Sequence, residues 1–242
     1  MNSKIEILKN TYTNALEKNK NKLIKLREKV QASDEDELED LNISINDTLF
    51  NISVLESNLG NIREPSEEDA RERVALFRGY KEKIDEAIPD DVPMVFHGNK
   101  TIGLVEEIMR SGGLFTPEER GAGFRTFATQ VDVAFKKDIH TPLEFAESGL
   151  DFVLPYGAIF AMMPKEEEKE MVLKTRGSEV SGGIDSINFM KEPDRLVAII
   201  TTKENIERLK KVALEVGIDE DKVVTHEEFL DKCKEKYKGN SI

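Results

Sequence analysis

The stretch Pro93-Met94-Val95-Phe96-His97-Gly98-Asn99-Lys100-Thr101 decides how this chain is read. Met94 to Phe96 has the look of a short apolar strand, and it delivers His97 and Gly98 into a loop. Ile102 to Arg110 then carries helical spacing, closed by Ser111-Gly112-Gly113-Leu114. Histidine is rare here, with 3 among 242 residues. One at a strand end, beside a glycine that permits close backbone approach, suits a ligand-binding loop.

N-terminal to this stretch the periodicity is helical throughout. Ile5, Leu8, Tyr12, Leu16, Leu23, Leu26 and Val30 form one apolar stripe. Ser33-Asp34-Glu35-Asp36 resembles a capped restart, after which Leu38, Leu41, Ile45, Leu49, Ile52, Leu55 and Leu59 form a second stripe that Gly60 is expected to end. Pro65-Ser66-Glu67-Glu68 opens a third helix, with Ala70, Val74, Phe77, Tyr80, Ile84 and Ile88 on its apolar face. Three such helices with short connections predict a helical hairpin or bundle over residues 1–90.

C-terminal to Asp90-Asp91 the runs become short and apolar. Met94 to Phe96, Ala158 to Met163 and Leu196 to Thr201 read as partly buried strands. The end of the chain reads as a helix from Lys203 to Val216, a turn at Gly217, a strand from Lys222 to Thr225 and a helix from His226 to about Tyr237. Residues 93–242 are therefore expected to form an α+β domain, and the fold class of the whole chain is α+β with the helical region first.

Composition bounds the function. Hydrophobic residues make up 38%, enough for a packed core. The net charge is −13 and both halves share it: 14 Lys+Arg against 21 Asp+Glu in residues 1–92 give −7, and 21 against 27 in the rest give −6. Such a surface opposes general attraction to phosphate backbones, so broad nucleic-acid binding is not expected. Cys233 is the single cysteine, which leaves no intramolecular disulfide and no zinc site of paired thiolates. No apolar stretch approaches 18 residues and no signal-peptide core is seen, so neither a membrane span nor Sec-type export is expected.

Three segments, in this order, resemble the ADP-ribosyltransferase superfamily in its His-Gly branch. Val95-Phe96-His97-Gly98 with Ile102 to Ile108 and Ser111-Gly112-Gly113-Leu114 looks like the opening strand, HG loop, helix and GL turn. Gly123-Phe124-Arg125-Thr126-Phe127-Ala128-Thr129 with Val131-Asp132-Val133-Ala134-Phe135 is similar to the middle strand and helix. Ser178-Glu179-Val180-Ser181-Gly182-Gly183-Ile184-Asp185 with Leu196 to Ile200 looks like the late motif, a catalytic glutamate before a GGI turn and a last core strand. Tyr156-Gly157-Ala158-Ile159-Phe160-Ala161 fits a core strand between them. Asn99 departs from the pattern, standing where the family often has Thr, and the resemblance covers about 100 of the 242 residues.

The resemblance implies a split β-sheet domain and a mono-ADP-ribosyltransferase that takes NAD as a substrate and modifies a macromolecule, a protein target first of all. It assigns Glu179 as the catalytic carboxylate, with Glu192 and Glu170 as alternatives. It assigns NAD binding to His97, Gly98, Thr126, Phe127 and Tyr156. Breaking the nicotinamide–ribose bond passes through an oxocarbenium-like state, which a carboxylate near the ribose stabilises. A histidine there holds the adenosine-side ribose and a glycine lets backbone groups reach the nicotinamide amide. An aromatic face orients the ring, with Phe127, Phe124 and Tyr156 as candidates in that order. No metal is implied.

Plainer roles compete at every position. His97 serves equally as a capped structural histidine and Glu179 as a solvated glutamate. The pairs Gly112-Gly113 and Gly182-Gly183 serve as turns and the phenylalanines as core. His140 and His226 read as structural, Cys233 as inert, and Lys165 to Glu170 as a solvated loop or hairpin end. At the level of the whole chain, the alternative is a non-catalytic module of the same fold. RNA 2′-phosphotransfer is the third reading, and only Arg125, Lys174, Arg176 and Arg195 are available to serve it. The helical region is expected to bind a partner or self-associate. A Lys- and Asn-rich composition suits a bacterial or phage protein, cytoplasmic or delivered as an effector or toxin into another cell.

Overall fold

The computed structural model describes residues 4–33, 35–63, 66, 67, 71, 80–115, 131–135, 156–174 and 182–238. The chain is mixed α/β, with a helical N-terminal region and a small mixed sheet. Helices α1 (Lys4–Val30) and α2 (Glu35–Asn61) pack along each other, as their apolar stripes predict. Helix α2 runs through Gly60, which had been expected to end it. Of the predicted third helix, Glu67 and Arg71 are described as helical, and the continuous described part is α3 (Tyr80–Ala87).

Strand β1 (Val95–Thr101) passes directly into α4 (Ile102–Arg110). Then come β2 (Gly113–Leu114), β3 (Val131–Phe135), β4 (Tyr156–Met162), α5 (Glu166–Lys174), β5 (Gly182–Ile184) and β6 (Ile187–Asn188). The chain ends with β7 (Leu196–Thr201), α6 (Ile206–Val216), β8 (Val223–Thr225) and α7 (His226–Tyr237). The main sheet has the order β5-β3-β1-β4-β7-β8. Its strands are antiparallel except β7 and β8, which run parallel and are joined across by α6. Strands β2 and β6 form a separate ribbon.

Both faces of this sheet are covered, which is why β4 reads as an unbroken apolar run with no polar alternation. On one face α4 and α6 bring Ile102, Val105, Met109, Leu209 and Val212 against Val95, Phe160 and Met162. Phe160 stacks on Phe189 there, with ring centroids 5.7 Å apart and planes 18° from parallel. On the other face α3 and α7 bring Ile84, Ile88, Phe229 and Leu230 against Phe96, Ile159 and Ile200. Phe96 meets Phe229 edge-on at 6.3 Å. The end of the third helix thus shares its core with the sheet.

Local signals placed the C-terminal elements well. Gly217 ends α6 at φ 77°, a left-handed conformation natural to glycine, and Ile218 N–H donates back to the Ala213 carbonyl. Thr225 and Glu228 form a reciprocal capping box that starts α7. At Gly113 the constraint is space: a Cβ there would lie 2.1 Å from the Ile187 carbonyl oxygen across the β2–β6 ribbon.

Candidate functional site

The structure corrects the first expectation about His97 and Gly98. They do not stand in a loop: β4 pairs with β1 from Val95 to Thr101, so both lie inside the strand, opposite Phe160 and Ile159. Directly opposed residues share a face. His97 therefore lies on the face of Val95 and Phe160, and Asn99, opposite Ala158, follows on the same face. His97 and Gly98 are half-buried.

The other edge of β1 behaves differently. Among the described residues it pairs with β3 only at Val95 and Phe96. Residues Val131 to Val133 of β3 turn their other edge to β5, pairing with Ile184 to Gly182. The ladder between β1 and β3 therefore stops immediately before His97, Gly98 and Asn99. Two further expectations change here. Val131 to Phe135 is a strand and not the helix of the resemblance, and Gly182-Gly183-Ile184 is a strand and not a turn, because each finds a hydrogen-bonding neighbour in the sheet.

Asn99 carries the unusual feature of this edge. It is 8% exposed, and its amide Nδ2 is buried with no acceptor among the described residues. A buried donor without an acceptor costs about 1–3 kcal/mol. Replacing Asn99 with the similarly sized Leu is therefore expected to raise unfolding stability by about 1 kcal/mol, read as a higher urea midpoint. A lower midpoint would mean that the amide is satisfied after all.

Of the other residues assigned by resemblance, Tyr156 is the first residue of β4, in register with Thr101. Glu179, Thr126 and Phe127 lie outside the described residues, as do Phe124 and His140. Glu179 precedes β5 by three residues, and β5 is two strands from β1 in the sheet. Of the alternative carboxylates, Glu192 pairs with Arg195 at 3.5 Å and Glu170 lies exposed on α5.

Two charged clusters escaped the sequence reading. The run Lys165 to Glu170 is not a solvated loop, because it opens α5 and buries Glu168. The Glu168 carboxylate accepts from Arg195 Nη2 at 3.0 Å, from Lys165 N–H at 2.6 Å and from Asp185 N–H at 2.7 Å. It ties the turn before β7, the start of α5 and the residue after β5 together. The Lys165/Glu168 spacing of three, which matches a helix-start box, was the available signal. Arg195 is also removed from the residues free to meet an RNA phosphate.

The second cluster joins the hairpin to the sheet. Arg208 of α6 donates to buried Glu106 of α4 from Nε at 2.5 Å and Nη2 at 2.8 Å, and also to Asn61 of α2. Ser57 donates to Glu106 at 3.0 Å and Ser53 to Glu107 at 2.7 Å. Nothing in the sequence links residues so far apart. Both clusters are paired and hydrogen-bonded, which suits charges that hold structure in place.

The remaining candidates read as quiet groups. Burial pushes the His226 imidazole down to about 3 and the Cys233 thiol up to about 11, so the first stays neutral and the second stays a thiol. Among the described residues no group of three or more His, Cys, Asp or Glu side chains is placed to hold a metal ion. Nor is any described helix long and apolar enough to cross a membrane. Neither a protein-family model, nor a curated protein, nor a solved structure matches this chain.

Proposed function

We propose that the chain is a mono-ADP-ribosyltransferase of the His-Gly type, which transfers ADP-ribose from NAD to a protein side chain. The observation that carries this reading is the edge of β1: among the described residues, pairing with β3 stops at Phe96, and the next residues are His97, Gly98 and Asn99, the last with a buried amide that finds no acceptor there. A strand edge released from its neighbour offers backbone groups to a ligand, and an unsatisfied buried donor suits a ligand oxygen.

In this reading His97 holds the adenosine-side ribose and the backbone of Gly98 meets the nicotinamide amide. Thr126 holds a ribose hydroxyl, and Phe127 with Tyr156 orients the ring. The bond between the ribose C1′ and the pyridinium nitrogen breaks, and neutral nicotinamide leaves with the bonding pair. The acceptor nucleophile forms the new bond to C1′ and loses its proton. Glu179 stabilises the positive charge that develops on the ribose between these events.

The test is NAD binding followed by calorimetry, with nicotinamide release measured in parallel. Wild type is expected to bind and turn over, while Glu179→Gln keeps binding within a few-fold and loses about 100-fold or more in turnover. Absence of both binding and release in wild type rejects the enzyme reading in favour of a non-catalytic module. Equal turnover in Glu179→Gln moves the carboxylate role to another residue.

A further inference from the structure

The α1–α2 hairpin has a seam it does not finish burying. On α2 the apolar residues recur at spacings of three and four from Leu38 through Leu41, Ile45, Ile52, Leu55 and Leu59, with Thr48 in the remaining place. That is the repeat of a helix with neighbours along one face. Near the sheet the seam is closed: Leu8, Ile52 and Ile62 are buried. Toward the tip, Leu16, Leu23, Leu26 and Val30 of α1 and Leu38, Leu41 and Ile45 of α2 are only half-buried. Helix α2 rests on α4 through Ser53 and Ser57, near its C-terminal end, so among the described residues that contact leaves the tip uncovered.

The two flat sides of the hairpin differ. Lys20 pairs with Glu56 at 2.7 Å, which fixes these residues on one side. Ile24 is one turn beyond Lys20, and Leu49 is two turns before Glu56, so both share that side. Ile24 is 55% exposed and Leu49 40%. The opposite side is an open polar groove of about 910 Å³, lined by residues that include Asn14, Lys18, Lys22, Lys25, Asp47 and Asn51.

Charge selects the occupant. Helix α1 has 8 Lys and Arg against 3 Glu, a net of +5, and α2 has 7 Asp and Glu and no cation, a net of −7. A uniformly acidic or basic partner is attracted to one helix and repelled by its neighbour. A second copy of this chain, turned about a two-fold axis parallel to the helices, sets each α1 against the other copy's α2. We infer that the Ile24/Leu49 side is a self-association surface, through which two hairpins form an antiparallel four-helix bundle. Their opposite charges set the pairing, and the half-buried seam becomes its core.

Light scattering of the full chain at tens of micromolar is expected to give twice the 27.4 kDa chain mass. Ile24→Glu combined with Leu49→Glu returns the mass to that of one chain. Helical circular dichroism is unchanged, because both side chains are exposed in the single chain. Should the double variant lose its helical signal, Leu49→Ser alone carries the same test. Asn14→Tyr, which crowds the groove without altering charge, keeps the doubled mass. Wild type at one chain mass throughout overturns the inference, as does a dimer that survives the Ile24 and Leu49 substitutions or one that Asn14→Tyr dissociates.

Discussion

Glu168→Ala is expected to lower unfolding stability by about 3–5 kcal/mol, the range seen when one partner of a buried ion pair is removed. Its side chain is 7% exposed and that of Arg195 is 11%, so water does not replace the lost contact. Removal leaves the guanidinium with the more distant Glu192 carboxylate and the Met163 carbonyl as its remaining partners among the described residues. It also leaves the Lys165 and Asp185 N–H groups without their acceptor. Glu168→Gln keeps one oxygen, which serves Lys165 and Arg195, but loses the charge and sets its NH2 against the Asp185 N–H, so a loss of about 1–3 kcal/mol is expected. Urea unfolding of the three proteins reads both effects. A loss below about 1 kcal/mol in Glu168→Ala would show that the cluster is dispensable.

The second large effect is acid sensitivity from His226. Its pKa is about 3 in the folded chain against 6.5 ordinarily, because burial penalises the imidazolium, and its place at the first residue of α7 sets any proton against the positive helix end. Between these values the unfolded chain binds a proton that the folded chain refuses. Stability is therefore full above pH 6.5 and falls as pH drops toward 3, by about 1.4 kcal/mol per pH unit and about 2 kcal/mol by pH 5. Glu228 is shifted downward as well, by the Thr225 N–H that it accepts, and its loss comes only below the ordinary carboxylate range. Denaturant unfolding from pH 7 to pH 5 isolates the histidine. The wild-type midpoint is expected to fall steeply over that window and that of His226→Gln much less. Parallel slopes would rule out the histidine as the cause.

Legibility varied with how local the cause was. The span of α7 from His226 to Tyr237 follows from its capping box and the turn at Gly217 from its left-handed backbone, both written within a few residues. The hairpin was equally plain, since stripes at spacings of three and four record which face each helix buries. The interior of β1 was not. His97 and Gly98 have poor strand character, and what holds them extended is hydrogen bonding to β4, whose own residues begin about 60 positions later. Gly182 to Ile184 became a strand for the same reason, through β3.

By itself the sequence determined the helices, their apolar faces, the opposite charges of α1 and α2 and the succession of strands in the second half. Each of these is set by neighbours one turn or one pleat away. Tertiary structure alone decided that, among the described residues, β1 parts from β3 at Phe96 and Asn99 buries an amide without an acceptor, that Glu168 meets Arg195, and that Arg208 joins α2 to α4 and α6. Those outcomes depend on which backbone edges and charges meet across dozens of residues. A charge or an amide looks the same in the chain whether it ends in water or in the core, and only the partner brought to it by the fold settles which.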